Sequence, residues 1–211
     1  MTDPRVAANE ARYDRMAPVY ERTLRIATFG TIPRLYRAVA SAVDVPAGGR
    51  VVEVGCGPAT VTPYLRVALG EKVAITGIDL SGEMIALARQ RAQREGWKNV
   101  EYVKADAAAW KPMGPVDTVV FCLVLSCLPE PLACADRALS WLRPGGQLVV
   151  LDSFLRSGHP ITNWVVRAKA PHVGAVPEDL PLDALLSRLH DPRTQSHFFG
   201  SYILASGRKR L

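Results

Sequence analysis

A glycine-rich turn that directly follows a buried strand is the feature that most limits what this chain can fold into. The run Arg50–Val54 predicts the strand, Gly55-Cys56-Gly57 makes the turn, and Thr60–Leu69 is predicted to be helical. Glycines let a backbone turn sharply and approach a bound molecule where a Cβ would collide. Because open α/β sheets bind ligands at the carboxyl ends of their parallel strands, this turn predicts a ligand site in an α/β fold.

Strand and helix patterns alternate through the middle of the chain. Further strands are predicted at Val73–Leu80, Val100–Ala105, Val116–Leu125 and Gln147–Asp152. Helices are predicted over Ser81–Gly96, with Ser81 as the N-cap, and over Pro131–Leu142. Such alternation predicts a doubly wound, mainly parallel sheet with right-handed crossovers.

The C-terminal part of the chain departs from this alternation. Short helices are predicted at Pro160–Ala170 and Leu180–His190. Two strands, Gln195–Phe199 and Ser201–Ser206, are predicted to meet at Gly200 as an antiparallel hairpin. The predicted fold class is therefore α/β, with a doubly wound sheet and a C-terminal hairpin.

The N-terminal region is predicted to be a helical cap over residues 1–45, on a main domain over residues 46–211. At helical spacing its apolar and basic side chains fall on opposite sides, and Pro18 is expected to kink the helix. The apolar side holds Val6, Tyr13, Ala17, Tyr20 and Leu24. The basic side holds Arg5, Arg12, Arg15, Arg22 and Arg25. Two interpretations stay open: a cap with a solvated basic side, or a basic side that rests on anionic lipid.

Composition limits the function classes. The formal charge of +6 lies at the chain ends: residues 1–50 hold eight basic and five acidic side chains, and three basic residues occupy positions 208–210. This distribution favours a local surface for acidic partners. The four cysteines form no CxxC pair and the four histidines have no helical ligand spacing, so we expect no metal and reduced thiols in the cytosol.

No membrane span or export signal is expected from the hydropathy. The longest apolar stretch, Val119–Leu128, is shorter than the roughly 20 residues that a membrane-spanning helix needs. The N-terminal residues carry no apolar signal core.

Two carboxylates extend the glycine turn into a candidate nucleoside site. Thr60 stands where a dinucleotide-binding GxGxxG turn has its third glycine, and no Gly-Lys-Ser/Thr follows, which excludes a P-loop. Asp79 ends the second strand, 22 residues beyond Gly57, where a carboxylate would accept hydrogen bonds from both ribose hydroxyls. Asp106 ends the third strand, where it would accept from an adenine amino group. The alternative role of Asp79 is a favourable charge at a helix N-terminus.

With these residues in place, the chain resembles the class I S-adenosylmethionine (SAM)-dependent methyltransferases from about residue 10 to its end. VVEVGCGPAT resembles the first motif of that superfamily, GIDLS its ribose motif, ADAAAW its adenine motif, FCLVLSCLPEP its strand-four motif and LRPGGQLVV its later turn. The resemblance implies SAM as the cofactor and a Rossmann-like sheet of seven strands with the last antiparallel. Ala59 departs from the pattern, because many members have a third glycine there.

The resemblance also implies roles for individual residues. Glu53 would orient the amino group of SAM, Asp79 would bind its ribose and Asp106 its adenine. The implied cofactor-binding residues are Glu53, Gly55, Cys56, Gly57, Asp79, Leu80, Met84, Asp106, Ala107 and Cys122. No catalytic residue is predicted, because displacement at an activated sulfonium needs mainly positioning and the exclusion of water.

The acceptor is indicated by the segment Tyr13–Tyr20, YDRMAPVY, which resembles the opening of bacterial phospholipid N-methyltransferases and of ubiquinone/menaquinone C-methyltransferases. Both groups share this opening, and the compact length, the single basic N-terminal helix and the strand end Asp152-Ser153-Phe154 favour N-methylation of phosphatidylethanolamine or another phospholipid amine. Methylation of a quinol or another small molecule at carbon or oxygen is the alternative, and a non-catalytic SAM-binding partner protein is the third. Candidate acceptor residues are Tyr13, Tyr20, Ser126 and His159.

The expected partners follow from the same hypothesis. The arginine side of the cap would contact an anionic membrane at its cytoplasmic face. No Asn-Pro-Pro-Tyr motif follows the fourth predicted strand, where Cys122–Leu125 stands instead, and basic ends alone are a weak sign of nucleic-acid binding. We therefore expect a small-molecule or lipid acceptor and no nucleic acid.

Overall fold

The computed structural model of the chain describes residues 4–27 and 30–210, so residues 1–3, 28, 29 and 211 of the two predicted domains lie outside the described residues. The strands are β1 (Arg50–Val54), β2 (Ala74–Asp79), β3 (Val100–Lys104), β4 (Val116–Cys122), β5 (Leu142–Asp152), β6 (Leu189–His197) and β7 (Tyr202–Lys209). The helices are α1 (Pro4–Met16), α2 (Tyr20–Ala27), α3 (Ile32–Ala42), α4 (Thr62–Leu69), α5 (Gly82–Glu95), α6 (Pro131–Trp141), α7 (Pro160–Val173) and α8 (Leu182–Leu186).

The seven strands form one sheet in the order β3-β2-β1-β4-β5-β7-β6. Strands β1 to β5 pair in parallel, whereas β7 is antiparallel to β5 and β6 is antiparallel to β7. The strand order runs outward in both directions from β1, so the chain reverses its direction of winding there, and such a switch point opens a crevice between the two halves. The predicted α/β class, with seven strands and an antiparallel C-terminal hairpin, is confirmed.

Helices cover both faces of the sheet, which explains the nearly continuous apolar strands. Along β1, Val52 and Val54 belong to a core layer that includes residues of α6 and α8. Val51 belongs to the opposite layer, which includes residues of α3 and α4. Because neighbouring side chains of a strand point to opposite faces, a parallel strand buried on both sides needs apolar residues at most positions.

Local signals at the turn after β2 fix where α5 begins and ends. The Ser81 hydroxyl accepts a hydrogen bond from the Met84 amide at 3.1 Å, and Gly96 ends the helix with a left-handed backbone at φ 65°. Both features confirm the predicted N-cap and the predicted end at Gly96. The cap holds the Asp79–Ser81 turn at the carboxyl edge of the sheet.

The structure shows that the predicted helix at Leu180–His190 is wrong over much of its length. Only Leu182–Leu186 is helical, and β6 begins at Leu189. This strand lies at the edge of the sheet with most of its residues exposed, and Pro192 falls where its register with β7 shifts. An edge strand with one buried residue has no period-two apolar pattern, so the sequence did not reveal it.

The fourth strand is shorter than predicted, because β4 ends at Cys122 and not at Leu125. Leu123 has a left-handed backbone at φ 60°. A short 3-10 turn follows over Leu125–Cys127, and all three of its residues are buried. Burial in this turn keeps the sequence apolar beyond the end of the strand.

The N-terminal region divides into two parts. A 3-10 turn over Ala17–Val19 separates α1 from α2, as expected from Pro18. Helix α1 has no buried residue. Helix α3, in contrast, packs in the core with Leu35, Tyr36 and Val39 against one face of the sheet. Within the predicted cap, therefore, α3 is integral to the main core.

Candidate cofactor and acceptor site

A cavity opens at the carboxyl ends of β1, β2 and β4, where the strand order reverses. It encloses about 810 Å³ of empty space, counting the open solvent at its mouth. Residues of α1, among them Asn9, Glu10 and Tyr13, form part of its wall. Eight of the residues predicted to bind the cofactor line this cavity: Gly55, Gly57, Asp79, Leu80, Met84, Asp106, Ala107 and Cys122.

The glycine turn adopts a backbone that side chains resist. Gly55 and Gly57 have φ values of 64° and 52°, in the left-handed region that favours glycine. A Cβ on Gly55 would lie 2.3 Å from a methyl carbon of Val124, so no side chain fits there. Ala59, where many related proteins have a glycine, also has a left-handed backbone at φ 60°. The turn therefore leaves backbone, and not side chains, facing the cavity.

Asp79 connects the ends of β1 and β2. Its Oδ2 accepts a hydrogen bond from the Gly57 amide at 2.9 Å, and its Oδ1 accepts one from the Ser81 amide at 2.9 Å. Burial raises the pKa of Asp79, and these hydrogen bonds oppose the shift. Each carboxylate oxygen has two lone pairs, so both can still accept from a ribose hydroxyl. The geometry fits the predicted ribose contact.

The end of the cavity at β3 has the composition of an adenine pocket. Ala107 and Met84 are buried there, and Leu80 lines the same wall. The Asp106 Oδ1 accepts a hydrogen bond from the Ala108 amide at 2.8 Å, which fixes the carboxylate in its turn. Apolar walls with one fixed carboxylate suit a flat base that has an amino group on its edge.

Two predicted cofactor residues, Glu53 and Cys56, lie beneath the glycine turn and outside the cavity lining. Glu53 is 1% exposed, and its Oε2 accepts a hydrogen bond from the Thr62 hydroxyl at 3.2 Å. Burial raises the pKa of Glu53 to about 8. The Cys56 thiol packs beside Gly77, where a Cβ would lie 2.9 Å from its sulfur. Both residues support the turn from below, and a direct contact of either with SAM stays a prediction.

Helix α1 covers the cofactor cavity mainly through polar contacts. The Asn9 amide group donates to the Cys127 carbonyl at 2.7 Å, and Glu10 pairs with Lys104 at 2.7 Å. Asp14 accepts a hydrogen bond from the Ser81 hydroxyl, beside the ribose-binding turn. A helix with no buried residue, held by polar contacts, forms the outer wall of the site without being part of the core.

A second cavity adjoins the first and has mostly apolar walls. It encloses about 1270 Å³ of empty space, counting open solvent at its mouth. Helices α1, α2 and α7 and the ends of β5 and β7 form it. Four residues line both cavities: Tyr13, Tyr20, Leu123 and Cys127. The two cavities therefore adjoin at these four residues, which we call the junction.

The two predicted tyrosines are fixed at the junction. Their ring centroids lie 6.4 Å apart. The Tyr13 hydroxyl donates to the Val173 carbonyl at 3.0 Å, which ties α1 to the end of α7. Burial raises the pKa of both Tyr13 and Tyr20, so both are neutral phenols near neutral pH. They offer aromatic faces and neutral hydroxyls to whatever lies between the cavities.

Ser126 and Asp152 form a buried polar pair in the second cavity. Asp152 is 2% exposed, and its carboxylate accepts hydrogen bonds from the Ser126 hydroxyl at 2.7 Å and from the Ser126 amide at 3.0 Å. The Ser153 amide donates to the same carboxylate at 2.7 Å. Burial raises the pKa of Asp152, and the hydrogen bonds from Ser126 and Ser153 oppose this shift. The sequence placed Asp152 at a strand end but gave it no role in the site.

The structure does not bring His159 to either cavity. His159 is exposed and precedes the first residue of α7. The chain there leaves the sheet through a loop after β5, and α7 then runs back over the second cavity with Val166, Lys169 and Ala170 towards it. Sequence reasoning missed Lys169, because a lysine within a short helix is usually solvated. Among the described residues, no group of three or more His, Cys, Asp or Glu side chains is placed to hold a metal ion.

The predicted arginine side of the cap is only partly realised. Arg15, Arg22 and Arg25 are exposed, as expected. Arg5 pairs with Asp179 at 3.5 Å. Arg12 departs from the prediction, because its Nη1 is buried and a Cβ on Gly174 would lie only 1.9 Å from it. Arg5, Arg15, Arg22 and Arg25 therefore remain exposed, with Arg5 in an ion pair.

Comparison with known protein families matches the part of the chain that holds most of this site. Residues 51–146 match a family described as Methyltransferase domain, and these residues contain the glycine turn, Asp79 and Asp106. These residues therefore match a methyltransferase domain, as the resemblance to SAM-dependent methyltransferases implied. The cofactor is SAM, and the glycine turn, Asp79 and the apolar pocket beside Asp106 lie where the predicted contacts with its methionine part, ribose and adenine would be made.

Known methyltransferases resemble the chain over part of their lengths. It is 34% identical over 117 residues to a trans-aconitate 2-methyltransferase of Azoarcus sp., covering 56% of this chain and 44% of that protein. It is 33% identical over 136 residues to a phosphatidylethanolamine N-methyltransferase of Cereibacter sphaeroides, covering 64% of this chain and 65% of that protein. The chain thus matches less than two thirds of either relative.

The fold of the methyltransferase domain is also found in solved structures. The DhpI–SAH complex superimposes with a TM-score of 0.69 at 19% identity, and the match covers 100% of this chain and 99% of that one. At this identity the likeness establishes the shared fold and no more. It extends to the N-terminal helices and the C-terminal hairpin.

Replacing Asp79→Asn tests the ribose contact. The amide loses the charge and one acceptor oxygen, and a charge-assisted hydrogen bond is worth about 1.5–3 kcal/mol. We expect the Kd for SAM, measured by titration calorimetry, to rise at least about tenfold. Asp136→Asn is the matched control, because Asp136 lies on α6 in an exposed pair with Arg188. An unchanged Kd in Asp79→Asn would contradict the ribose assignment.

Proposed function

We propose that the protein transfers a methyl group from SAM to a lipophilic small molecule, and that a phospholipid amine such as phosphatidylethanolamine is its acceptor. The observation that carries the proposal is the second cavity. Its mostly apolar walls join the cofactor cavity at Tyr13 and Tyr20, so an apolar acceptor there would reach the cofactor directly. Apolar walls with a few polar groups are typical of sites for lipophilic ligands.

SAM supplies a methyl group on a positively charged sulfur. Transfer forms a bond from the acceptor nitrogen to the methyl carbon, breaks the bond from that carbon to sulfur, and releases a proton from the amine. This chain contributes mainly position and dryness, because α1 covers the cofactor and the tyrosines line the junction. Asp152 adds a carboxylate whose pKa is raised by burial, so it can attract the acceptor ammonium and take up its proton.

The relatives support a small-molecule acceptor but differ in the acceptors that their names give. The phosphatidylethanolamine N-methyltransferase favours the phospholipid amine. The second candidate is a quinol or another small molecule methylated at carbon or oxygen. The Asp152 carboxylate, hydrogen-bonded to Ser126, is as compatible with this alternative as with the phospholipid amine, because a quinol acceptor needs a base near its ring.

Incorporation of labelled methyl from SAM into phosphatidylethanolamine vesicles tests the proposed reaction. We expect label in the lipid fraction, and none with vesicles of phosphatidylcholine alone, which offer no amine for methylation. Asp79→Asn should lose the transfer in proportion to its lost SAM affinity at subsaturating SAM.

The contradicting outcomes separate the alternatives. Label in a soluble quinol but not in lipid would replace the phospholipid proposal with the second candidate. Tight binding of SAM with no transfer to either acceptor would favour the non-catalytic SAM-binding protein.

We also propose that the exposed arginines of the cap contact an anionic membrane surface. Within residues 4–27 and 30–210, no helix combines the length and apolar character needed to cross a bilayer. Arg15, Arg22 and Arg25 lie on α1 and α2, which also wall the second cavity. A basic residue close to an anionic membrane contributes about 1 kcal/mol. The contact would bring a lipid acceptor near its cavity.

Vesicle sedimentation tests this contact. We expect binding to vesicles with anionic lipid to weaken at least about tenfold in the triple variant Arg15→Gln, Arg22→Gln, Arg25→Gln, because up to about 3 kcal/mol is lost. The matched control removes the same charge at three exposed lysines elsewhere, with Lys72→Gln, Lys98→Gln and Lys111→Gln. Equal weakening in both variants would show a general charge effect and contradict a specific arginine surface.

A further inference from the structure

Lys169 occupies an unusual position in α7. The cavity side of this helix is apolar, with Val166 1% and Ala170 6% exposed. Lys169 lies between them in sequence and lines the same cavity, whereas Trp164 and Arg167 on other sides of the helix are exposed. Residues three and four apart share a helix face, so Lys169 stands where the packing of α7 favours an apolar side chain.

The Lys169 ammonium is only partly compensated by its surroundings. It lies 4.2 Å from the centre of the Tyr202 ring, a cation–π contact. Within residues 4–27 and 30–210, no carboxylate oxygen lies within ion-pair distance of it. Burial lowers its pKa, and the charge of Asp152 opposes that shift. Lys169 is half-buried, and a cation that is partly withdrawn from water without a paired anion is less stable there than in solvent, so a function is expected for it.

The other charged groups of the cavity limit where a ligand anion can lie. Asp152, whose carboxylate accepts hydrogen bonds from Ser126 and Ser153, would repel an anion. His172 also lines the cavity, on the same helix as Lys169. Neither Lys169 nor Tyr202 belongs to the junction with the cofactor cavity. An anion is therefore favoured at Lys169, away from the junction.

We propose that Lys169 binds an acidic group of the acceptor, so that this cavity takes amphiphiles with an apolar body and one carboxylate or phosphate. This inference rests on the proposed function, because it assigns the cavity to the acceptor. The acidic group lies at Lys169 and Tyr202, and the reacting end of the molecule extends towards Tyr13 and Tyr20. An ammonium and a carboxylate or phosphate form a charge-assisted contact that strengthens as water is excluded.

Displacement of a fluorescent probe tests the site without turnover. The probe is N-phenyl-1-naphthylamine, an uncharged apolar dye, and the competitors are dodecyl phosphate, dodecanoate and dodecanol below their aggregation concentrations. We expect the wild-type protein to release the dye at concentrations of either anion at least tenfold below that of dodecanol. Comparing phosphate with carboxylate shows which acidic group fits better.

Variants assign the preference to one side chain. Lys169→Met keeps the length and apolar character and is expected to remove the preference, whereas Lys169→Arg is expected to retain it. Arg167→Met is the matched control, because it removes a positive charge from an exposed position of the same helix. Unchanged near-ultraviolet circular dichroism would show that each variant is folded.

Three results would overturn the inference: no dye binding to the wild-type protein, equal displacement by dodecanol, or a preference that persists in Lys169→Met. Its failure is distinguishable from failure of the proposed function. Methyl transfer without an anion preference would refute the role of Lys169 alone. An anion preference that depends on Lys169, without methyl transfer to any acceptor, would refute the proposed reaction and leave the binding site.

Discussion

The bridge made by the Asp79 carboxylate is the interaction on which the site depends. One oxygen accepts from the Gly57 amide and the other from the Ser81 amide, so a single side chain joins the turns that follow β1 and β2. The parallel register of these strands brings the turns together. The glycines keep side chains out of the space above, and the Ser81 cap holds α5 in place. The glycine turn, the Asp79–Ser81 turn and the start of α5 together line the cofactor cavity.

Around this fixed centre the N-terminal helices complete a two-chambered site. Helix α1 closes the cofactor cavity with polar contacts, and Tyr13 ties it to α7, which lines the second cavity, where we propose that the acceptor binds. The strand ends position most of the candidate cofactor residues. Helices α1, α2 and α7 pack outside the sheet and supply most of the walls of the second cavity. Differences in acceptor among related proteins are expected in these outer helices.

The clustering of the candidate cofactor residues around one cavity could be predicted from sequence, because most of them follow the ends of strands whose apolar runs are easy to recognise. Asp79 and Asp106 each follow an apolar strand, and the fold brings those ends together. The acceptor half lacked such signals. In the sequence, Lys169 has the pattern of a solvated surface lysine, and only the position of α7 shows that it lines the second cavity. His159 follows the end of β5 closely in sequence, but the loop after β5 places it on the surface, away from both cavities. The sequence position of Glu53 also did not reveal that its side chain is buried beneath the glycine turn.

The proposed reaction requires the cofactor cavity and the second cavity to connect at Tyr13 and Tyr20. A crystal structure with bound S-adenosylhomocysteine would test this connection. We expect the ribose on Asp79 and the sulfur atom at the tyrosine junction, facing the second cavity. A sulfur atom directed away from this junction, or a protein wall between it and the second cavity, would contradict the proposed reaction.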